Sequence, residues 1–102
     1  MKDYSAMSDF EINLAVGKIA SPNFLRNYCD NPADAWIIIT GNKISIIHDG
    51  GENEYTACDG FKFESGCWDL ASTPEHYHTH TNPLRAAMVT FLMMKDRESS
   101  HA

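Results

Sequence analysis

The sequence predicts an α+β domain, a small antiparallel sheet with helices packed on it. Three observations carry that expectation. Residues 82–95 begin Asn-Pro and continue with apolar residues on most faces, the pattern of a helix covered on more than one side. Ser8 and Glu11 stand in the S-x-x-E spacing of a capping box, which starts a second helix near the N-terminus. Between them lie short β-branched and alternating stretches broken by Asp49-Gly50-Gly51, as antiparallel strands joined by turns require. The order helix, short helix, strands, helix suits an antiparallel sheet with helices against it.

Taken in order, the first helix runs over about 9–19, with Phe10, Leu14, Ala15 and Ile19 as its inward face. Ser21-Pro22-Asn23 ends it by composition, and an irregular segment follows to Asp30. At Asn31-Pro32 two rules compete. Ile37, Ile38 and Ile39 suit a strand, whereas Asn31 is a favoured N-cap, Pro32 a favoured first residue, and Asp34 an acid well placed in the first turn. The cap signals predict a short helix over 32–40, stopped by Gly41. Residues 43–48 and 54–58 then read as paired strands, and Phe61-Lys62-Phe63 and 67–71 as further strand material. Residues 72–81 read as a polar loop. In the last helix Asn82 caps, Pro83 takes the first position, and Leu84, Ala87, Met88, Phe91 and Leu92 share a face. The charged, small residues 96–102 read as a frayed tail. No repeat or linker divides the chain, so 1–102 is a single domain.

The totals narrow the function classes. A chain of 102 residues with 43% hydrophobic and 22% charged content can bury one ordinary core. No apolar run is long enough to span a bilayer and no signal-peptide pattern opens the chain, which makes cytosol the expected location. Three cysteines without a CxxC pair argue for reduced thiols. The formal charge is −6, and residues 49–75 hold seven acids against the single base Lys62. Such a surface repels a phosphate backbone, which speaks against general nucleic-acid binding.

Arg85 is the residue that most wants an explanation. It sits in the first turn of the last helix, where the positive end of the dipole disfavours a cation, so it needs a buried carboxylate or an anionic ligand. The two Asn-Pro helix starts offer unpaired N–H groups at Asn31 and Asn82, and together with Arg85 they could hold a phosphate or carboxylate; as plain helix starters they do nothing more. Trp36 and Trp68, the only tryptophans, flank Asp34 and Asp69 and either stack on a base or pack in the core. His76, His78 and His80 alternate and would point one way in an extended segment, as Zn²⁺ ligands do, but without a fourth ligand a solvated loop is the simpler reading. The sequence shows no nucleophile with a positioned base and no catalytic motif. Cys58 and Cys67 read as inert buried thiols.

Met7-Ser8-Asp9-Phe10-Glu11-Ile12-Asn13, NPADAW at 31–36, Trp68 followed by Ala71, and NPLRAAMVTFLMMK at 82–95 resemble the NinX family of small lambdoid-phage and prophage accessory proteins. That group is in turn similar to phage domains built as α-β-α sandwiches. Residue by residue, the matching positions are Asn31, Pro32, Asp34, Trp36, Trp68, Asn82, Pro83 and Arg85. The chain departs from the pattern at Ile37, where Pro is expected, and in the EHYHTH run. The resemblance implies a phage protein acting in the cytoplasm of an infected or lysogenic bacterium. With the pocket chemistry above, it leads to a non-enzymatic protein that binds a small nucleotide-like or anionic ligand through Asn31, Asp34, Trp36, Trp68, Asn82 and Arg85, without a cofactor or metal. Sequestering a nucleotide signal of bacterial immunity is one use. The alternative is a protein-interaction module whose acidic face imitates DNA or contacts a host protein, with Asp34 and Arg85 as a structural ion pair; a nucleotide-cleaving enzyme is third. The apolar last helix also allows a homo-oligomer.

Overall fold

The computed structural model describes residues 3–20, 26–48, 53–59, 62–63, 70–72 and 76–100. A 3₁₀ turn at Tyr4–Ala6 leads into helix α1 (Asp9–Ala20); α2 spans Pro32–Gly41 and α3 spans Pro83–Ser100. Strands β1 (Ser45–His48), β2 (Tyr55–Cys58) and β5 (Tyr77–His80) form one antiparallel sheet in the order β1-β2-β5. Strands β3 (Lys62–Phe63) and β4 (Leu70–Ser72) form a separate antiparallel pair. The α+β architecture expected from the sequence is therefore the one observed. The turn at 49–51 lies outside the described residues, as does most of the acidic stretch around it.

Helix α3 organises the molecule. It packs on β2 and β5 and also against α1 and α2. From Arg85 to Leu92 every residue is buried, so the helix is enclosed around its whole circumference. Ala86 and Ala87, with no exposure at all, let neighbouring backbones approach closely, while Met88, Val89, Phe91 and Leu92 fill the space between them. Thr90 resolves its own burial by donating to the carbonyls of Ala86 and of Ala57 on the central strand. The helix continues past Lys95 to Ser100. Asp96 contributes to that extension by accepting a hydrogen bond from the buried Tyr4 hydroxyl.

Helix α1 begins as its capping box requires, Ser8 and Glu11 exchanging two hydrogen bonds of 3.1 Å. Its buried face is not the expected one. Ile12, Asn13, Val16 and Gly17 point inward, while Phe10, Leu14 and Ile19 are exposed and Ala15 is half-buried. The helix carries apolar residues on two faces, and the true core face is interrupted by a polar Asn and a Gly, which disguises it in a hydrophobicity pattern. Burial of Asn13 is tolerated because both ends of its carboxamide are bonded, to Asn27 and to the Cys29 N–H.

At α2 the cap signals prevail over the three β-branched isoleucines. Asn31 accepts from the Ala33 N–H at 3.0 Å, and Ile38 and Ile39 turn into the core. The C-terminus closes as a Schellman motif, Lys43 N–H to Thr40 and Ile44 N–H to Ile39. Lys43 occupies the left-handed position, at φ 55°, where glycine is usual, and Gly41 is simply the last helical residue.

Strand β5 replaces what the sequence suggests is a loop. Tyr77–His80 pairs with β2 in the register Tyr55↔His80, Thr56↔Thr79, Ala57↔His78 and Cys58↔Tyr77. Its polar side chains hide the strand from a hydrophobic pattern, yet cross-strand pairing provides for them: the Thr56 and Thr79 hydroxyls share a hydrogen bond. Asp59 pins the start of β5 by accepting from the His76 N–H and meeting the His76 ring at 2.7 Å.

A cleft between helix α1 and the loop before helix α2

Of the predicted site residues, Asn31, Asp34 and Asn82 meet the loop 26–31, while Arg85 turns to the N-terminal segment. Arg85 lies 6% exposed and spends its guanidinium on the N-terminal segment. One terminal nitrogen meets the Asp9 carboxylate at 2.6 Å, and the other donates to the Met7 carbonyl at 2.6 Å and more weakly to those of Tyr4 and Ser5. Its Nε is buried without a partner. The cation that runs against the α3 dipole is thus answered from within, by Asp9 and three carbonyls. Asp34 is not its partner. That carboxylate instead faces Arg26 at 3.4 Å and accepts from the Asn27 N–H.

The two Asn-Pro starts are tied together through the same loop. Asn82 caps α3 by accepting from the Leu84 and Arg85 N–H groups, and its Nδ2 donates to the Cys29 carbonyl at 2.7 Å. From the other side Asn13 accepts the Cys29 N–H at 2.9 Å, so the Cys29 backbone is gripped at both its N–H and its carbonyl. The Cys29 side chain is fully buried and its thiol is pushed up to about 12, chiefly by burial and then by Asp9. It is a packing group, not a nucleophile. Burial likewise raises the Cys58 thiol. Helix-terminal N–H groups that would receive an anion are thus already held by the carboxamides of Asn31 and Asn82.

Above this clamp a cleft of about 530 Å³ opens between the first turns of α1 and the loop, lined by Asp9, Phe10, Asn13, Arg26, Asn27 and Asp30. None of the six was expected from the sequence as a ligand contact. Local sequence gives no signal for them, since Asn13 lies off the face that the hydrophobic pattern predicts and its burial is known only from the fold. Four of the six lining residues have a support: Arg85 behind Asp9, Asn13 and the Asn27 carboxamide against each other at 3.0 Å, and Asp34 beneath Arg26 and the Asn27 backbone. The predicted residues Asp34, Asn82 and Arg85 therefore brace the cleft from behind. Asn31 caps α2 beside it, and Trp36 stands 62% exposed on α2, apart from the lining. Trp68 lies outside the described residues.

The histidines do not form a shared ligand set. His76 is engaged by Asp59, His80 accepts from the Asn82 N–H through Nδ1, and the His78 ring stacks on that of His80 with centroids 6.4 Å apart. Among the described residues no group of three or more His, Cys, Asp or Glu side chains is placed to hold a metal ion. No helix among them is long and apolar enough to cross a membrane.

The described residues define an α+β protein with a polar cleft between α1 and the loop 26–30. The family model described as bacteriophage P22 NinX matches residues 22–95, well over half of the chain, and the protein belongs to that family. It is accordingly a phage accessory protein. No curated protein and no solved structure matches it.

Proposed function

We propose that the protein is a non-enzymatic binder of a small nucleotide-like ligand, which it holds in the cleft between α1 and the loop 26–30 while acting in the host cytoplasm. The observation that carries this reading is the cleft itself. Its volume of about 530 Å³ falls in the range of small-molecule sites, and it sets a phenyl ring beside carboxylates, carboxamides and a guanidinium. Phe10, 58% exposed, offers a face for a flat base. The Asn27 carboxamide offers its amide hydrogens to a base edge, and Asp9 and Asp30 accept from hydroxyls. Bracing by Arg85 at Asp9, by Asn82 at the Cys29 carbonyl and by Asp34 at Arg26 and the Asn27 backbone orders this part of the cleft before a ligand arrives, which reduces the ordering cost of binding. For a phage protein, withdrawing a signalling nucleotide from bacterial immunity is a use that needs binding alone.

The test is native mass spectrometry of protein made in an infected or lysogenic host, followed by analysis of molecules released on denaturation. Wild-type protein is expected to carry a stoichiometric small molecule that Asp30→Ala, with an unchanged melting curve, does not. Apo wild-type protein from that source would contradict the proposal.

A second reading has its own observation. Trp36 and Ile37 lie side by side on α2 at 62% and 70% exposure, and large exposed apolar neighbours are a usual mark of a protein contact. Under this reading a host or phage protein, or a second copy of the chain, covers them. Co-purification of one partner that is lost in Ile37→Asp and retained in Asp30→Ala would favour it over the cleft.

A further inference from the structure

Resting on the cleft as the ligand site, we infer that it reads the nucleoside end of its ligand through hydroxyl and amino donors and leaves phosphates outside. The charges decide this. The lining holds two carboxylates, Asp9 and Asp30, and one cation, Arg26, whose guanidinium is directed toward Asp34 on α2 at 3.4 Å. Arg85 is buried behind Asp9 and its terminal nitrogens are spent on that carboxylate and on backbone carbonyls. Asp9, Asp30 and Asp34 against Arg26 and Arg85 leave these five groups with one excess negative charge. A phosphate entering beside Asp30 meets that excess, and nothing in the lining is placed to neutralise a second anionic charge.

The hydrogen-bonding inventory points the same way. Carboxylates accept and never donate, so Asp9 and Asp30 call for O–H or N–H groups on the ligand, which a ribose diol supplies in pairs. The Asn27 carboxamide is oriented by its bond from Asn13, which occupies its oxygen and leaves its Nδ2 hydrogens as the donors. Asn13 is itself fixed by the Cys29 N–H. A ligand with a flat face for Phe10, donors for the two carboxylates and an acceptor for Asn27 fits; a triphosphate does not.

Calorimetric titration of the full chain with the four ribonucleosides, their 5′-monophosphates and triphosphates, and the 2′,3′-dideoxynucleosides tests this. At least one ribonucleoside should bind saturably, its triphosphate no tighter, and its dideoxy form at least tenfold weaker. Asp30→Asn, at an exposed position, should weaken the nucleoside while improving the triphosphate relative to it. A triphosphate that binds tenfold tighter than its nucleoside would overturn the inference and leave the ligand site standing. Equal binding of ribo and dideoxy forms would overturn the role of the carboxylates. No saturable binding by any of these compounds would count against both the inference and the nucleotide reading beneath it.

Discussion

Helices α2 and α3 open on the same pair of residues, Asn-Pro, and arrive at opposite ends of the burial scale. Both carry an Asn cap that accepts from the next turn, and both place Pro at the first position. Beyond that turn they diverge. α3 has no exposed residue from Arg85 to Leu92, whereas α2 buries Ala35, Ile38 and Ile39 and leaves Trp36 and Ile37 to solvent. Their first-turn charges follow the same split. Asp34 agrees with its helix dipole and faces an exposed Arg26; Arg85 opposes its dipole and is held by Asp9 and backbone carbonyls in the interior. A capping signal therefore tells where a helix starts. It does not tell whether that start is a surface or a structural joint.

Removing each cap in turn separates the two helix starts. Asn82→Ala loses two capping bonds and the grip on the Cys29 carbonyl, and should destabilise the protein by about 2–3 kcal/mol in urea unfolding. Asn31→Ala loses one capping bond at an exposed start, with about 1 kcal/mol expected. Equal losses would mean that the link between the two helix starts contributes nothing.

At the other end of α2, Lys43→Gly should stabilise by about 1 kcal/mol, because a non-glycine residue at φ 55° carries a steric penalty that glycine lacks. A shift of the thermal midpoint upward by a few degrees would register it. An unchanged midpoint would show that the lysine side chain offsets its backbone.

The last contrast is in pH. His78 faces the interior side of the sheet, where burial first, and then His80 and Arg85, push its imidazole below the ordinary value, with Asp3 acting weakly in the other direction. The unfolded chain therefore binds the proton more readily than the folded one. Stability should be complete above about pH 6.5 and fall as the pH drops through that ordinary imidazole value. His78→Gln should flatten this part of the profile when urea midpoints are measured between pH 5 and 8. An identical slope in the variant would assign it to other groups.

Much of the architecture was legible in the residues. Capping boxes and Asn-Pro starts are local chemistry, so Ser8, Glu11, Asn31 and Asn82 mark their helices without knowledge of the rest of the fold. The enclosure of α3 was equally readable, because a helix apolar on nearly every side has only one kind of place to go. What escaped depends on partners distant in sequence. The inward face of α1 looked wrong because Asn13 is compatible with burial only through Asn27 and Cys29, which lie 14 and 16 residues away. Strand β5 looked like a loop because its Thr and His side chains are accommodated by β2. Arg85 was rightly singled out as an electrostatic anomaly, and among the described residues its answer lies 76 residues away at Asp9. The cleft combined both difficulties, since its lining comes from two segments that only the fold brings together.

Equilibrium urea unfolding of Arg85→Met tests the central contrast most directly. The side chain is nearly the same length, so the change removes the guanidinium while keeping most of the packing. If Arg85 is the internal brace described here, the variant loses about 2 kcal/mol, in keeping with the loss of a buried guanidinium's hydrogen bonds to backbone carbonyls and to the half-exposed Asp9, and any loss of ligand follows the loss of fold. A variant that unfolds at the wild-type urea concentration yet no longer carries ligand would contradict the account, and would return Arg85 to the binding site.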